Sequence, residues 1–469
     1  MKYGDRFRKR GPGCPDNGAI LAADRIREES RCHGEGRMKR HDTATPALLR
    51  RINAGAVLDS LRSVGELSVS ELVARTDLSR PTVDAAVADL VRLGVAAEAN
   101  SVAEATSRPR RGRPARRYRF RADAGHLLGI DIAEETVQVV VANLSGALVA
   151  ERSRPVGLDV SRRRRLQVVR AAARAALAQA EVRPAELAAV VAGSPGTVDA
   201  TTGRISFCTA IPEWSGLDLA AVLRAAFDCP VLVENDANLA AIGESWRGIA
   251  RGCRDVVFFL LGTRTGAGLL ADGRLLRGHD GGAGELGFLD LWEESRTTRG
   301  DLARTSADVV AELLGTGGRR PSLASLRRPE DRESLSWGVE TRPLIDGALA
   351  GDENARAGLE RFVASAGYAL VSMSLLLSPE LFVIGGGTAA DEVLVDPLRR
   401  IVSRLLEGKA ATPPRVEAST LGTRAVVLGA VRHGLDYVEP RLLDRFDGTR
   451  AYDEVRAGGA KGGDAPPPR

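Results

Sequence analysis

The chain has little cysteine and few aromatic residues, and these shortages exclude several classes of protein. Only five cysteines occur in 469 residues, and aromatic residues make up 4%. Because no two cysteines form a CxxC pair, the sequence argues against a disulfide framework and against a thiolate zinc site. No apolar run approaches the roughly 20 residues of a membrane span, and the first residues lack the apolar stretch of a signal peptide. We therefore expect a metal-free cytoplasmic chain with no membrane contact.

Length and composition predict a soluble protein of two or three domains. Hydrophobic residues make up 44% and charged residues 27% of the chain, which is ordinary for globular proteins. Residues 1–37 are polar and basic, and we expect either a disordered basic arm or an extension that precedes a true start at Met38; the whole of 1–44 is expected to lie outside the folded domains. Residues 316–342 read as an inserted loop, and residues 448–469 read as a disordered tail.

Residues 67–94 carry the signals of two short helices joined by a tight turn. Ser68 and Glu71 form a capping box that starts the first helix. Ser79 is the N-cap of the second helix, with Pro81 in its first turn, and Gly94 closes it. Spacings of four and three residues place three apolar side chains of the second helix on one face: Val83, Val87 and Leu90. This pattern is typical of a helix-turn-helix, whose second helix enters the major groove of DNA.

Four polar residues of the second helix would then face DNA. We assign Ser79, Arg80 and Thr82 to phosphates or base edges. Asp84 is repelled by phosphates unless it accepts a hydrogen bond from cytosine. The alternative for this segment alone is an ordinary helical hairpin with solvated polar residues.

A second basic element follows the helix pair. Residues 108–121 contain eight arginines and no acid, flanked by short strands expected at about 95–99 and 117–120. The cluster would therefore lie at the tip of a β wing, where arginines suit phosphate and minor-groove contact. We assign Arg111, Arg113 and Arg116 to DNA. The alternative is a solvated charge run, which is also our interpretation of the separate arginine run 162–165.

Residues 45–121 resemble the amino-terminal winged helix-turn-helix of regulators in the ROK (repressor, open reading frame, kinase) family. The family's wing ends in Gly-Arg-Pro, which Gly112, Arg113 and Pro114 match. Asp84 departs from the small polar residue that is usual in the family. The resemblance implies binding to a double-stranded DNA operator.

From about His126 the chain alternates strand-like and helical stretches, which predicts an α/β domain with buried strands. Its motifs resemble the ROK sugar-kinase domain over 124–440, an actin-like pair of RNase-H-like lobes. The most specific match is ENDANLAAIGE at 234–244, and a glycine turn at 385–387 resembles the nucleotide side. The resemblance implies that Asn235, Asp236 and Glu285 bind sugar hydroxyls. Ala210 stands where the family often has asparagine.

The chemistry of phosphoryl transfer is missing from this pattern. Family kinases carry glycines after the first strand, where this chain has Glu134 and Glu135. Two carboxylates repel a triphosphate and block the close backbone approach that glycine allows. Arg264 replaces a glycine of the other phosphate loop. Phe288 replaces the zinc-ligating histidine, and no cysteine follows it. We therefore expect no catalysis, no cofactor and no metal, with Asp236 as a vestigial base.

These observations predict a ROK-family transcription regulator, in most cases of this family a repressor, that controls carbohydrate-metabolism genes. The effector would be a sugar or a sugar phosphate. We expect a homodimer or homotetramer on an inverted repeat, associated with the nucleoid. One alternative is an active ATP-dependent sugar kinase that uses Asp236 as its base. Another is a DNA-binding protein whose second domain only dimerises.

Overall fold

The computed structural model describes residues 46–99, 116–158, 160–261, 265–286, 342–386 and 392–443. Several sequence predictions lie outside these residues: the extension 1–44, the tail 448–469, residues 316–341 of the insert, the wing tip with Arg111 and Arg113, Arg264 and Phe288.

The amino-terminal part, which we call the head, combines helices with a small antiparallel sheet of strand order β1-β3-β2. Its elements are α1 (Pro46–Val64), β1 (Leu67–Ser68), α2 (Val69–Thr76), α3 (Arg80–Arg92), β2 (Ala96–Ala99) and β3 (Arg117–Phe120). The predicted helix pair and the two predicted wing strands are confirmed as local structure.

Local hydrogen bonds explain where α2 and α3 begin. The Ser68 hydroxyl accepts from the Glu71 amide at 3.3 Å, and the Glu71 carboxylate accepts from the Ser68 amide at 2.7 Å. The hydrogen bond from the Ser68 amide, followed by one from the Ser68 hydroxyl to the same carboxylate, holds the pKa of Glu71 below its usual value. Asp77 turns the chain with a left-handed φ of 57°, and Ser79 caps α3. The predicted apolar face of α3 is buried at Val83, Val87 and Leu90.

Asp89 joins α3 to α1 inside the head. It is 3% exposed, accepts hydrogen bonds from Arg50 at 2.5 and 2.6 Å, and also pairs with Arg92. The hydrogen bond from Arg50, followed by that from Arg92, lowers the pKa of the Asp89 carboxyl, against the opposing effect of burial.

We expect Asp89→Asn to lower the free energy of unfolding of the head by about 1–2 kcal/mol, because three charge-assisted hydrogen bonds, two from Arg50 and one from Arg92, weaken. A carboxyl whose pKa is depressed in the folded state stabilises above its unfolded pKa of about 4, and that stability is lost as the pH falls below it. Urea denaturation at pH 7 and at pH 3 measures both effects. An unchanged urea midpoint of Asp89→Asn at pH 7 would show that Asp89 does not stabilise the head.

The first lobe is a five-stranded sheet of order β10-β7-β4-β5-β6. Its strands are β4 (His126–Ile132), β5 (Thr136–Asn143), β6 (Leu148–Pro155), β7 (Leu187–Ser194) and β10 (Val231–Asn235), beside a hairpin of β8 (Thr197–Asp199) and β9 (Arg204–Phe207). Three helices belong to it: α4 (Arg162–Gln179), α5 (Leu219–Arg224) and α6 (Asp236–Arg247). The central strands are buried on both faces, as their Val- and Ile-rich sequences predict.

The second lobe has a sheet of order β13-β12-β11-β14-β15. Its strands are β11 (Val256–Leu260), β12 (Gly266–Ala271), β13 (Arg274–Leu275), β14 (Leu381–Gly385) and β15 (Arg415–Ala418). Its helices are α7 (Arg342–Leu349), α8 (Glu353–Leu377) and α9 (Glu392–Leu406). The chain then returns to the first lobe with α10 (Ala425–Arg441), which packs against β4 and β7.

Among the described residues, α8 alone is long and apolar enough to cross a membrane by length and composition. Its side chains Phe362, Val363 and Leu370 lie in the core of the second lobe. This burial is typical of the core helix of a globular lobe.

The arginine run at the start of α4 was expected on a solvated face, and this is wrong for one of its members. Arg162, Arg163 and Arg164 are exposed, whereas the side chain of Arg165 is fully buried. Its partners are described with the site below.

Candidate functional site

Asn235 and Asp236 lie where β10 ends and α6 begins, at the carboxyl edge of the first-lobe sheet. This edge is the usual ligand position in α/β sheets. Asn235 caps α6 by accepting from the Asn238 amide at 3.1 Å, and its side-chain amide donates to the Gly196 carbonyl at 3.1 Å. Asp236 is 3% exposed, and one of its oxygens accepts from the Ala237 amide at 2.8 Å. The cap therefore fixes both predicted effector residues on one helix terminus.

Glu285 reaches the same place from the second lobe. Its carboxylate lies 3.5 Å from the Thr197 hydroxyl, and Thr197 follows the Gly196 carbonyl that Asn235 contacts. Glu285 and Asn235 are therefore brought together on the two sides of one loop. Their role toward a sugar remains a prediction. Ala210, which stands at a family asparagine position, packs partly buried against the first-lobe core.

Sequence reasoning missed two residues that hold this site. Glu234 is 1% exposed and accepts from the Asn235 amide and the Asn238 side chain, both at 2.9 Å. Arg277 also donates to it at 2.6 Å. Glu234 positions Asn235 and Asn238, and Arg277 neutralises its buried charge. The sequence signal for Glu234 is its place at the start of the family motif 234–244, but nothing in the sequence shows that Arg277 meets it.

A small cavity of about 20 Å³ lies beside Asp236, which is room for about one water molecule. It is lined from α6, from the start of α10 and from the second lobe: Asp236, Ala237, Ala240, Gly422, Thr423, Ala425, Val426, Phe258, Leu260 and Gly386. This space is too small for a monosaccharide, so a sugar bound at Asp236 would have to displace at least one of the elements that line it.

The β4–β5 turn, which would hold phosphates in a kinase, is occupied from inside by Arg165. The guanidinium donates to the carbonyls of Ala133 and Glu134, each at 2.7 Å, and to the Gly157 carbonyl at 3.1 Å. Burial lowers the pKa of Arg165 from its usual value, and the nearby charge of Glu134 partly opposes this. Glu134 and Glu135 remain half-exposed at the turn. The turn is thus fixed from inside by a buried cation, and it carries two half-buried carboxylate side chains.

The glycine turn after β14 has a local structural explanation. A Cβ on Gly385 would lie 2.0 Å from the Phe258 ring, and one on Gly386 would lie 2.2 Å from the Leu261 carbonyl oxygen. Gly386 also has a φ of +117°, which L-residues rarely adopt. Internal packing therefore requires both glycines without a nucleotide. The glycine turn therefore gives no evidence for a nucleotide, and the carboxylates at the β4–β5 turn are the residues that do not fit a bound triphosphate, because like charges repel.

The donor set for the family's zinc also does not fit. Among the described residues no group of histidine, cysteine and carboxylate side chains could hold a metal ion. The family's zinc element falls after Glu285, outside the described residues. The sequence there has Phe288 and no cysteine from 287 to 341, so a tetrahedral thiolate site cannot be completed.

On the head, the predicted DNA-facing residues lie on the open side of α3. Arg80 and Asp84 have side chains 68% and 54% exposed, with Arg80 Nε 3.9 Å from Asp84 Oδ2. Ser79 is exposed, and its hydroxyl lies 2.7 Å from that of the half-buried Thr82. Arg116, at the base of the wing, pairs with Glu98 at 3.5 Å. Asp84 therefore lies within ion-pair distance of Arg80 on the exposed face of α3, where such a pair is weak.

Comparison with known proteins places these features in context. The ROK family model matches residues 127–300 and 325–433. A xylose repressor of Caldicellulosiruptor bescii is 22% identical over 82% of this chain and 95% of its own length. A glucokinase of Thermotoga maritima is 30% identical over 65% of this chain and 95% of its own length.

Solved structures agree on the fold. A ROK family transcriptional regulator, a homologue of the E. coli MLC protein, superposes with a TM-score of 0.63 at 20% identity, over 86% of this chain and all of its own. A ROK family glucokinase of Streptomyces griseus, in complex with glucose and AMPPNP, superposes with a TM-score of 0.51 at 26% identity, over 66% of this chain and 98% of its own. The actin-like kinase fold and the extent of the family match lead to one conclusion: this chain is a member of the ROK family.

Proposed function

We propose that the protein is a sugar-responsive, DNA-binding transcription repressor of carbohydrate-metabolism genes. The observation that carries the proposal is the phosphate turn of its ROK domain, which carries Glu134 and Glu135 and is fixed from inside by Arg165. These carboxylates repel the triphosphate that catalysis would need. The polar side chains of Asn235, Asp236 and Glu285, in contrast, suit sugar hydroxyls.

The head supports the DNA half of the proposal. In it α3 is a recognition helix of a winged helix-turn-helix, with Ser79, Arg80, Thr82 and Asp84 on its open side. Arg116, and Arg111 and Arg113 outside the described residues, contact phosphates as wing residues. A homodimer or homotetramer presents two such heads to an inverted repeat. The similar xylose repressor makes a pentose or hexose the first effector to test.

An operator titration tests this proposal. Double-stranded DNA selected from a random pool by the full chain is titrated by fluorescence anisotropy, with and without an excess of D-xylose, D-glucose or N-acetyl-D-glucosamine. We expect one sugar to weaken operator binding by about 5- to 150-fold, the usual range of allosteric coupling. If no sequence is enriched from the pool and the chain binds all DNA equally, the protein is not a sequence-specific regulator.

The second candidate is an active sugar kinase with a DNA-binding head. It is favoured by Asp236, which lies at a helix terminus where a general base is needed, and by the similar glucokinases. We expect no ADP release above background when magnesium, ATP and each sugar are incubated with the chain. Turnover that is lost in Asp236→Ala would establish the kinase instead.

A further inference from the structure

Helix α10 extends to the head from the cavity beside Asp236, which we call the effector cleft. Its start, with the preceding turn Gly422–Arg424, lines the cavity beside Asp236. Its far end is followed by Leu442 and Leu443, and Leu443 is buried in the head core together with Leu58 and Leu61 of α1. One rigid element of 17 residues therefore has one end at the candidate site and the other in the DNA-binding head.

Along its length, α10 cannot slide independently of α6. A Cβ on Gly243 of α6 would lie 2.3 Å from the Ala425 carbonyl oxygen, and one on Gly429 of α10 would lie 1.7 Å from the Leu239 carbonyl oxygen. The two backbones are thus in direct contact, which only glycine at both positions permits. A displacement of α6, whose first residue is Asp236, must also move α10.

Glu244 fastens the start of α10 to the end of α6. This carboxylate is fully buried and accepts from the Ser419 hydroxyl at 2.5 Å, the Leu421 amide at 3.1 Å and the Thr420 hydroxyl at 3.3 Å. All three donors belong to the loop that leads into α10. Removing a buried acceptor with several donors would release this loop, because each donor would be left without its partner.

At the other end an ion pair joins α10 to the head. Arg62 of α1 donates to Glu439 at 2.5 Å and to the Leu144 carbonyl at 3.3 Å. Glu439 is shared with Arg432, which also pairs with Asp436. Both partners of the Arg62–Glu439 pair are mostly buried, with side chains 19% and 26% exposed, so solvent screens this pair less than a surface pair.

We propose that α10 carries the state of the effector cleft to the head, with Glu244 and the Arg62–Glu439 pair as the positioning residues at its two ends. This inference rests on the proposed function and adds the helix that connects the sugar site to the DNA-binding head. A ligand that displaces the start of α6 at Asp236 moves α10 with it, because the two backbones are in direct contact, and the shift reaches α1 through Glu439 and Leu443. Helix α10 can couple the two sites because it is one continuous helix that contacts both the cavity beside Asp236 and the head.

The ligand-independent test is amide hydrogen exchange in residues 57–64 of α1, measured on the full chain. Ser419→Ala removes one donor to Glu244, and Glu439→Gln weakens the pair with Arg62. Asp436→Asn is the matched control, because it removes a partner of Arg432 on the same helix without contacting Arg62. We expect Ser419→Ala and Glu439→Gln to speed this exchange by at least about threefold, and the control to leave it unchanged. Wild-type exchange in Ser419→Ala would overturn the relay.

The sugar-dependent test uses the same variants in the operator titration. In Glu439→Gln we expect the ratio of operator affinities without and with sugar to fall at least about threefold, with sugar affinity by calorimetry unchanged. Asp436→Asn should keep the wild-type ratio. An unchanged ratio in Glu439→Gln would also overturn the relay. If no sugar changes wild-type operator binding, the effector assignment fails, and the exchange experiment still decides the relay.

Discussion

Replacement of Arg165 by methionine is expected to lower the free energy of unfolding of the ROK domain by about 3 kcal/mol. The buried guanidinium donates to the carbonyls of Ala133, Glu134 and Gly157. Methionine fills much of the same volume but leaves all three acceptors without these donors. Relief of the guanidinium's desolvation cost keeps the loss below the sum of three hydrogen bonds.

The matched control is Arg164→Met, one position earlier on α4 and exposed to solvent. We expect it to change stability by less than about 0.5 kcal/mol. Urea denaturation monitored by the buried Trp214 compares the two variants. Equal midpoints for Arg164→Met and Arg165→Met would show that the β4–β5 turn does not depend on Arg165.

Arg80→Ala is expected to weaken operator binding by about 1–3 kcal/mol, roughly 5- to 150-fold. Arg80 is the exposed cation in the first turn of α3, where recognition helices contact base edges. Its pairing with Asp84 in the free protein must be exchanged for the DNA contact, so a substitution at either residue should alter sequence preference.

Gel-shift titrations of selected and random DNA separate the two contributions of Arg80. A base contact predicts that binding to the selected operator falls more than binding to random DNA, whereas a phosphate contact predicts equal losses. Arg251→Ala, which removes an exposed arginine outside the head, serves as the control. An Arg80→Ala variant that binds both DNAs like the wild type would show that α3 is not the recognition helix.

Much of the local structure could be predicted because its signals lie within a few residues of each other. The capping box of Ser68 and Glu71, the N-cap Ser79 and the periodicity of Val83, Val87 and Leu90 each act inside one helix. The same holds for Asn235, which caps the helix that begins with Asp236. The family resemblance then supplied the fold of the two lobes, which local patterns alone do not determine.

The features that escaped prediction are side chains whose partners are distant in sequence. Arg165 belongs to a run of arginines that reads as solvated, and its acceptors lie up to 32 residues away. Arg277 meets Glu234 across 43 residues, and Asp89 meets Arg50 across 39. A sequence pattern shows the charge of such groups but not the fold that brings their partners to them. The sequence therefore predicts that Arg165 is exposed, although it is buried, and it does not predict the other two pairs.

The central claim is that this ROK cleft retains a sugar site and has lost the nucleotide site. Isothermal titration calorimetry of the full chain tests it directly, with the sugar that changes operator binding and with magnesium AMP-PNP, each alone and then together. We expect saturable heat from the sugar, none from the nucleotide, and a sugar affinity that the nucleotide leaves unchanged. Saturable binding of magnesium AMP-PNP that tightens the sugar complex would contradict it.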